Sequence, residues 1–127
     1  MAKMEHFALF AADLAALRDF YVEAFGLKVI VDNSKAPTPG YFLADDGGGA
    51  LEIIGRPAGE KGADTRYVCH VAFLVDDVAK VRASLEARGI AFETGTEVDN
   101  AEMKTVFFRD PEGNRTQIVS RSAPLGS

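Results

Sequence analysis

The chain has 127 residues, of which 47% are hydrophobic and 26% charged, the composition of a folded globular protein large enough to bury a core without disulfides or a structural zinc. A net charge of −5 and a pI near 5.0 speak against phosphate-backbone binding, which needs clustered Lys and Arg, so nucleic acid is not an expected partner. No apolar run approaches the roughly 20 residues of a membrane span, residues 1–5 lack a signal-peptide pattern, and the single Cys69 can form no internal disulfide; a cytoplasmic protein is expected.

Residues 5–10 alternate and predict a strand, with His6, Ala8 and Phe10 on one face and Phe7 and Leu9 on the other. Asp13 stands where an N-cap belongs, before the helical spacing of Leu14, Leu17, Tyr21 and Phe25, and Gly26 is placed to end that helix. Extended pieces are expected at residues 28–31, 41–44 and 50–54, the last two joined by the tight turn Asp45-Asp46-Gly47-Gly48-Gly49. Residues 33–40, with Pro37 and Pro39, predict a loop that could flank a pocket, and the polar, Gly-rich residues 55–66 predict a linker.

The series then repeats. Residues 68–75 predict a strand with His70, Ala72 and Leu74 on one face; Cys69 points to the other face and reads as a small core residue instead of a nucleophile. Asp77 precedes a helix carrying Val78, Val81 and Leu85, which Gly89 should close. Strands are expected at residues 91–94, 104–109 and 115–120, with the turn Asp110-Pro111-Glu112-Gly113-Asn114 between the last two and a disordered tail over 120–127.

The correspondence is residue by residue. His6-Phe7-Ala8, Asp13-Leu14 and Arg18 recur as His70-Val71-Ala72, Asp77-Val78 and Arg82, while Phe42, Asp45, Gly48, Glu52 and Ile53 match Phe107, Asp110, Gly113, Gln117 and Ile118. A duplicated βαβββ module accounts for both halves: module 1 over about 4–54 and module 2 over about 67–121, in one α+β domain.

The duplication superposes four polar residues within apolar stretches: His6, Glu52, His70 and Gln117. Imidazole, carboxylate and amide oxygen are workable ligands for Fe, Mn, Co, Ni or Zn. Glu52 lies within Leu51-Glu52-Ile53-Ile54, where a buried carboxylate needs a partner. Each residue also has an ordinary reading: a lone strand histidine, an exposed Gln117, and Glu52 paired with Arg18 or Arg82.

With these residues in place, the chain resembles the vicinal oxygen chelate superfamily, which contains glyoxalase I, methylmalonyl-CoA epimerase, extradiol dioxygenases, and fosfomycin and bleomycin resistance proteins. The resemblance spans residues 5–121. It rests on the His6 strand with Asp13-Leu14, on Arg18-Asp19-Phe20-Tyr21 through Phe25-Gly26-Leu27, and on residues 107–114, FFRDPEGN. It implies two βαβββ modules whose sheets curve into a cup around a divalent metal ion, with His6, Glu52, His70 and Gln117 at the ligand positions. Extradiol dioxygenases and fosfomycin-modifying members place a carboxylate where this chain has Gln117. Bacterial glyoxalase I carries an Arg for glutathione on the first strand, where this chain has Phe10. The epimerase pattern has Gln in the first module and Glu in the second, the reverse of the order here.

The expected activity is that of a metal-dependent lyase or isomerase of the glyoxalase type, with a small carbonyl or thioester compound as substrate. The metal acts as Lewis acid, Glu52 is the catalytic base that takes the proton α to the carbonyl, and His6, His70 and Gln117 help to hold the ion. Two alternatives stand beside it: a non-catalytic binding protein of the bleomycin-resistance type, and an Fe(II)-dependent dioxygenase. The family pattern and the prevalence of C₂ symmetry imply a homodimer, with His6 and Glu52 of one chain meeting His70 and Gln117 of the other.

Overall fold

A hydrophobic period of two, then 3.6, then two again produces the same order of elements twice. The structure, a computed structural model, describes residues 1, 4–57, 59 and 70–127. The chain divides into two compact units, Met1–Ala63 and Asp64–Ser127.

The first unit contains β1 (His6–Ala11), α1 (Leu14–Phe25), β2 (Lys28–Asp32), β3 (Gly40–Ala44) and β4 (Ala50–Gly55). Its sheet has the order β1-β4-β3-β2, with β1 parallel to β4 and the other pairs antiparallel. Helix α1 begins where the Asp13 carboxylate accepts from the Ala16 N–H at 3.0 Å, and it ends at Gly26, whose φ of +69° suits glycine. The helix packs on β3 and β4. Leu9, Ala11, Leu43, Leu51 and Ile53 are buried with Leu17 and Tyr21 of α1. By strand alternation, His6, Ala8, Phe42 and Glu52 therefore share the sheet face that α1 leaves open.

The second unit contains β5 (Val71–Leu74), α2 (Val78–Ala87), β6 (Val98–Asp99), β7 (Met103–Arg109) and β8 (Arg115–Arg121), in the sheet order β5-β8-β7-β6. The parallel pair is β5 with β8. Asp77 caps α2 through the Lys80 N–H at 3.0 Å. Leu85 of α2 and Val106, Phe108, Thr116 and Ile118 of the sheet are buried. Alternation sends Ala72, Thr105, Phe107 and Gln117 to the opposite face.

Both β3–β4 and β7–β8 turns are built around an aspartate. Asp45 Oδ1 accepts from the Gly49 N–H at 2.8 Å, and Asp110 Oδ1 accepts from the N–H groups of Glu112 and Asn114 at 2.9 Å each. A glycine with positive φ closes each turn, Gly48 at +89° and Gly113 at +84°.

The architecture is the expected α+β pair of βαβββ units, with three local differences. Residues 91–94 do not form the strand expected directly after α2: Phe92 makes an isolated bridge to Phe108, and the short β6 lies further on at Val98–Asp99. The Glu93 N–H still reaches the Phe107 carbonyl, but the Glu93 carboxylate is taken up by Arg115, and Gly95 turns the backbone away at φ +84°. Second, α2 ends at the cap Arg88, with Gly89 one position beyond it at φ +88°. Third, β8 runs through Arg121, where a tail was expected, and the Ser122 N–H donates to the Glu102 carbonyl. Cys69 and the start of the expected strand 68–75 lie outside the described residues, as does most of the expected linker.

Candidate functional site

Strands β1 and β4 bring the first two candidates together. Ala8 is the register partner of Glu52, so His6, two residues earlier on the same face, lies diagonal to the carboxylate. His6 Nε2 stands 3.5 Å from Glu52 Oε1, with the two side chains 35% and 24% exposed. The other ring nitrogen, Nδ1, lies 2.9 Å from the exposed Glu5 carboxylate. When Nδ1 carries the proton and donates to Glu5, Nε2 and the Glu52 oxygen face each other as two bare acceptors. A shared cation relieves that opposition, and a carboxylate behind a histidine is the usual support of a metal-ligating imidazole. Two donors each about 2.0–2.1 Å from a tetrahedral ion stand about 3.4 Å apart, close to the observed separation. The donor set of the first unit thus fits a divalent metal.

Of the two arginines considered as partners for Glu52, Arg18 lies in the same unit and is engaged elsewhere, and Arg82 belongs to the other unit. Arg18 donates to Asp19 and to the Tyr41 hydroxyl, each at 2.8 Å, and the Asp19 hydrogen bond raises its pKa. Arg82 lies 3.6 Å from Glu86 and over the Phe92 ring.

In the second unit, His70 stands exposed immediately before β5, and Gln117 lies half-buried on β8. They are linked through Phe107. The His70 and Phe107 ring centroids are 5.2 Å apart with planes at 83°, and Phe107 is the register partner of Gln117. The first unit repeats this relation, with His6 against Phe42 at 5.3 Å and 83° and Phe42 paired to Glu52. Gln117 Nε2 donates to Thr105 Oγ1 at 2.7 Å. Phe107 also supports Arg115, whose guanidinium lies 3.9 Å from its ring centroid and is held by Glu93.

Among the described residues, no three or more His, Cys, Asp and Glu side chains come together as a metal cluster; the structure pairs His6 with Glu52, while His70 and Gln117 lie in the other unit. Four neighbours of the candidates were given no role at the site from the sequence. Glu5 is adjacent to His6. Phe42 and Phe107 are visible as matched aromatics but carry no chemical marker. Thr105 reads as an ordinary β-branched strand residue.

Two four-stranded sheets, each with one parallel edge pair and one helix, define a duplicated βαβββ protein with His6 and Glu52, and Phe107 and Gln117, on the faces the helices leave uncovered. The family model of the glyoxalase/bleomycin resistance protein/dioxygenase superfamily matches residues 3–118, and the chain belongs to that superfamily. Among curated relatives, it is 23% identical to biphenyl-2,3-diol 1,2-dioxygenase 3 of Rhodococcus globerulus, over 91% of this chain and 62% of the relative. It is 28% identical to lactoylglutathione lyase of Schizosaccharomyces pombe, over 94% of this chain and 48% of the relative. The chain therefore spans about half to three-fifths of the length of these two proteins.

Solved structures share the fold. TnmS3, an antibiotic-binding protein from Streptomyces sp. CB03234, matches with a TM-score of 0.76 and 21% identity, covering 96% of this chain and 98% of the other. The fosfomycin resistance protein FosX of Listeria monocytogenes, in a structure containing Mn(II) and sulfate, matches with a TM-score of 0.76 and 17% identity, covering 98% and 93%.

Proposed function

We propose that the chain is a metal-dependent lyase or isomerase of the glyoxalase type that removes a proton α to the carbonyl of a small substrate. The observation that carries this reading is the opposition of His6 Nε2 and Glu52 Oε1 at 3.5 Å, backed by Glu5 at Nδ1. His6, Glu52, His70 and Gln117 would hold one divalent ion, with the two units contributing a pair each. The reading includes a homodimer with shared sites, and exposed Val29, Ile30 and Val31 on the edge strand β2 are consistent with a covered surface.

The ion, Ni, Co, Mn, Fe or Zn, supplies Lewis-acid polarisation of the substrate oxygens when bound. Glu52 does the proton transfer. Its carboxylate projects from β4, an inner strand between β1 and β3, so its position is fixed by ladders on both sides. On an α-hydroxycarbonyl substrate it would take the proton from the hydroxyl-bearing carbon and return it to the former carbonyl carbon, while the hydroxyl proton passes to the former carbonyl oxygen. The net change is an isomerisation that needs no co-reactant. A base placed this way raises a rate by roughly 10²–10⁴. Phe42, beside Glu52 in the ladder, offers an apolar wall that limits water at the carboxylate.

The test is solvent exchange. Metal-loaded protein is incubated in D₂O with a panel of small α-hydroxycarbonyl compounds and thioesters, and deuterium at the α-carbon is read by NMR. Wild-type protein exchanges at least one member, and Glu52→Gln loses roughly 100-fold or more of that rate. Tight binding with no exchange across the panel would point to the sequestering type of binding protein. Oxygen consumption with bound iron would point to a dioxygenase.

A further inference from the structure

We infer that Thr105 is the positioning residue that makes Gln117 an oxygen ligand. The inference rests on the reading of Gln117 as part of the metal site. An amide side chain ends in one acceptor oxygen and one donor nitrogen, and only the oxygen can ligate the ion. Some neighbour must therefore fix which end points where.

The hydrogen bonds around Thr105 do so by elimination. The Ile118 carbonyl can only accept, and Thr105 Oγ1 lies 2.8 Å from it, so the single hydroxyl hydrogen is directed there. With its hydrogen committed, Thr105 Oγ1 can only accept from Gln117 at 2.7 Å, which places the amide nitrogen on that side. Gln117 Oε1 is then turned away from Thr105. The reversed amide would set two acceptors 2.7 Å apart, or would take the hydrogen from Ile118. Thr105 is only 2% exposed, so water cannot readily make good the loss.

The first unit shows the converse. Phe42 pairs with Glu52 as Phe107 pairs with Gln117, and the residue two positions before each phenylalanine is Gly40 in one case and Thr105 in the other. A carboxylate has two equivalent oxygens and needs no sorting, and Gly40, at the ladder position that Thr105 holds in the second unit, carries no hydroxyl. A Cβ at Gly40 would stand 2.7 Å from the Ile53 carbonyl, the counterpart of the Ile118 carbonyl that Thr105 engages. The two copies of the module differ together at the ligand and at the residue that would orient it.

Two measurements on the full chain test this. In metal-free protein, ¹⁵N NMR should show one Gln117 Nε2 proton protected from solvent exchange, with the protection lost in Thr105→Val and regained in Thr105→Ser. Titration with Mn(II) should show Thr105→Val weakening affinity roughly 10-fold, with recovery in Thr105→Ser and no further loss when Thr105→Val is added to Gln117→Ala. An equal loss in the Gln117→Ala background would overturn the inference, because Thr105 would then act elsewhere. So would unchanged amide protection in Thr105→Val. If amide protection follows Thr105 as stated while Gln117→Ala binds Mn(II) like wild type, the ligand reading of Gln117 is overturned, and the positioning role with it.

Discussion

The His6 imidazole meets the Phe42 ring edge-on, with centroids 5.3 Å apart and planes at 83°, and Phe42 is also the ladder partner of Glu52. One aromatic side chain therefore touches the histidine and flanks the carboxylate. An edge-to-face pair contributes about 0.5–1.5 kcal/mol beyond area burial, which corresponds to about two- to tenfold in an equilibrium that depends on the ring's placement. Phe42→Leu keeps most of the apolar volume and removes the ring. Its expected effect is a loss of divalent-metal affinity within that range with little change in the urea midpoint, both measurable on the same preparation.

The Glu93–Arg115 pair contributes to the stability of the second unit. Arg115 donates to the Glu93 carboxylate at 2.8 and 3.0 Å, and these hydrogen bonds hold the Glu93 pKa below its ordinary value of 4.5. A carboxylate with a depressed folded pKa contributes stability that is complete above its unfolded value and is lost as pH falls through the folded one. Glu93→Gln should cost about 1–2 kcal/mol at neutral pH, since the pair is only partly buried. The difference from wild type should shrink as pH drops below 4.5, where Glu93 becomes neutral in wild type as well. Urea unfolding at neutral and acid pH checks this.

The order of elements was legible because each depends on local chemistry. Asp13 and Asp77 cap their helices as their position before the apolar spacing indicates, and the aspartate-glycine turns close as their residues require. The second strand of the second module was misplaced for a tertiary reason. Residues 91–94 have strand-like alternation, yet Glu93 is drawn to Arg115, 22 positions away in sequence, and pairing resumes only at Val98. At the candidate site, the residue types of His6 and Glu52 were informative and their convergence followed from strand register. The Thr105 hydroxyl carried no such sign, because its role depends on a carbonyl of the neighbouring strand.

Assembly gives a further prediction. If sites are shared across a homodimer, mixing His6→Ala protein with His70→Ala protein should produce heterodimers with one intact metal site of two, so metal binding by a freely exchanging equimolar mixture should return towards about one quarter of the wild-type stoichiometry. Sites formed within each chain would give no recovery on mixing. Light scattering at micromolar protein should report a dimer, and a monomer would contradict both the dimer and the sharing.

The most direct test of the account is calorimetric titration of Mn(II) and Zn(II) into the purified full chain and into His6→Ala, Glu52→Ala and His70→Ala, with circular dichroism to establish that each variant is folded. The account predicts saturable binding of one ion per chain in wild type and an affinity at least about 10-fold weaker in each folded variant. Unchanged affinity in all three folded variants, or no saturable binding by the wild-type chain, would contradict it.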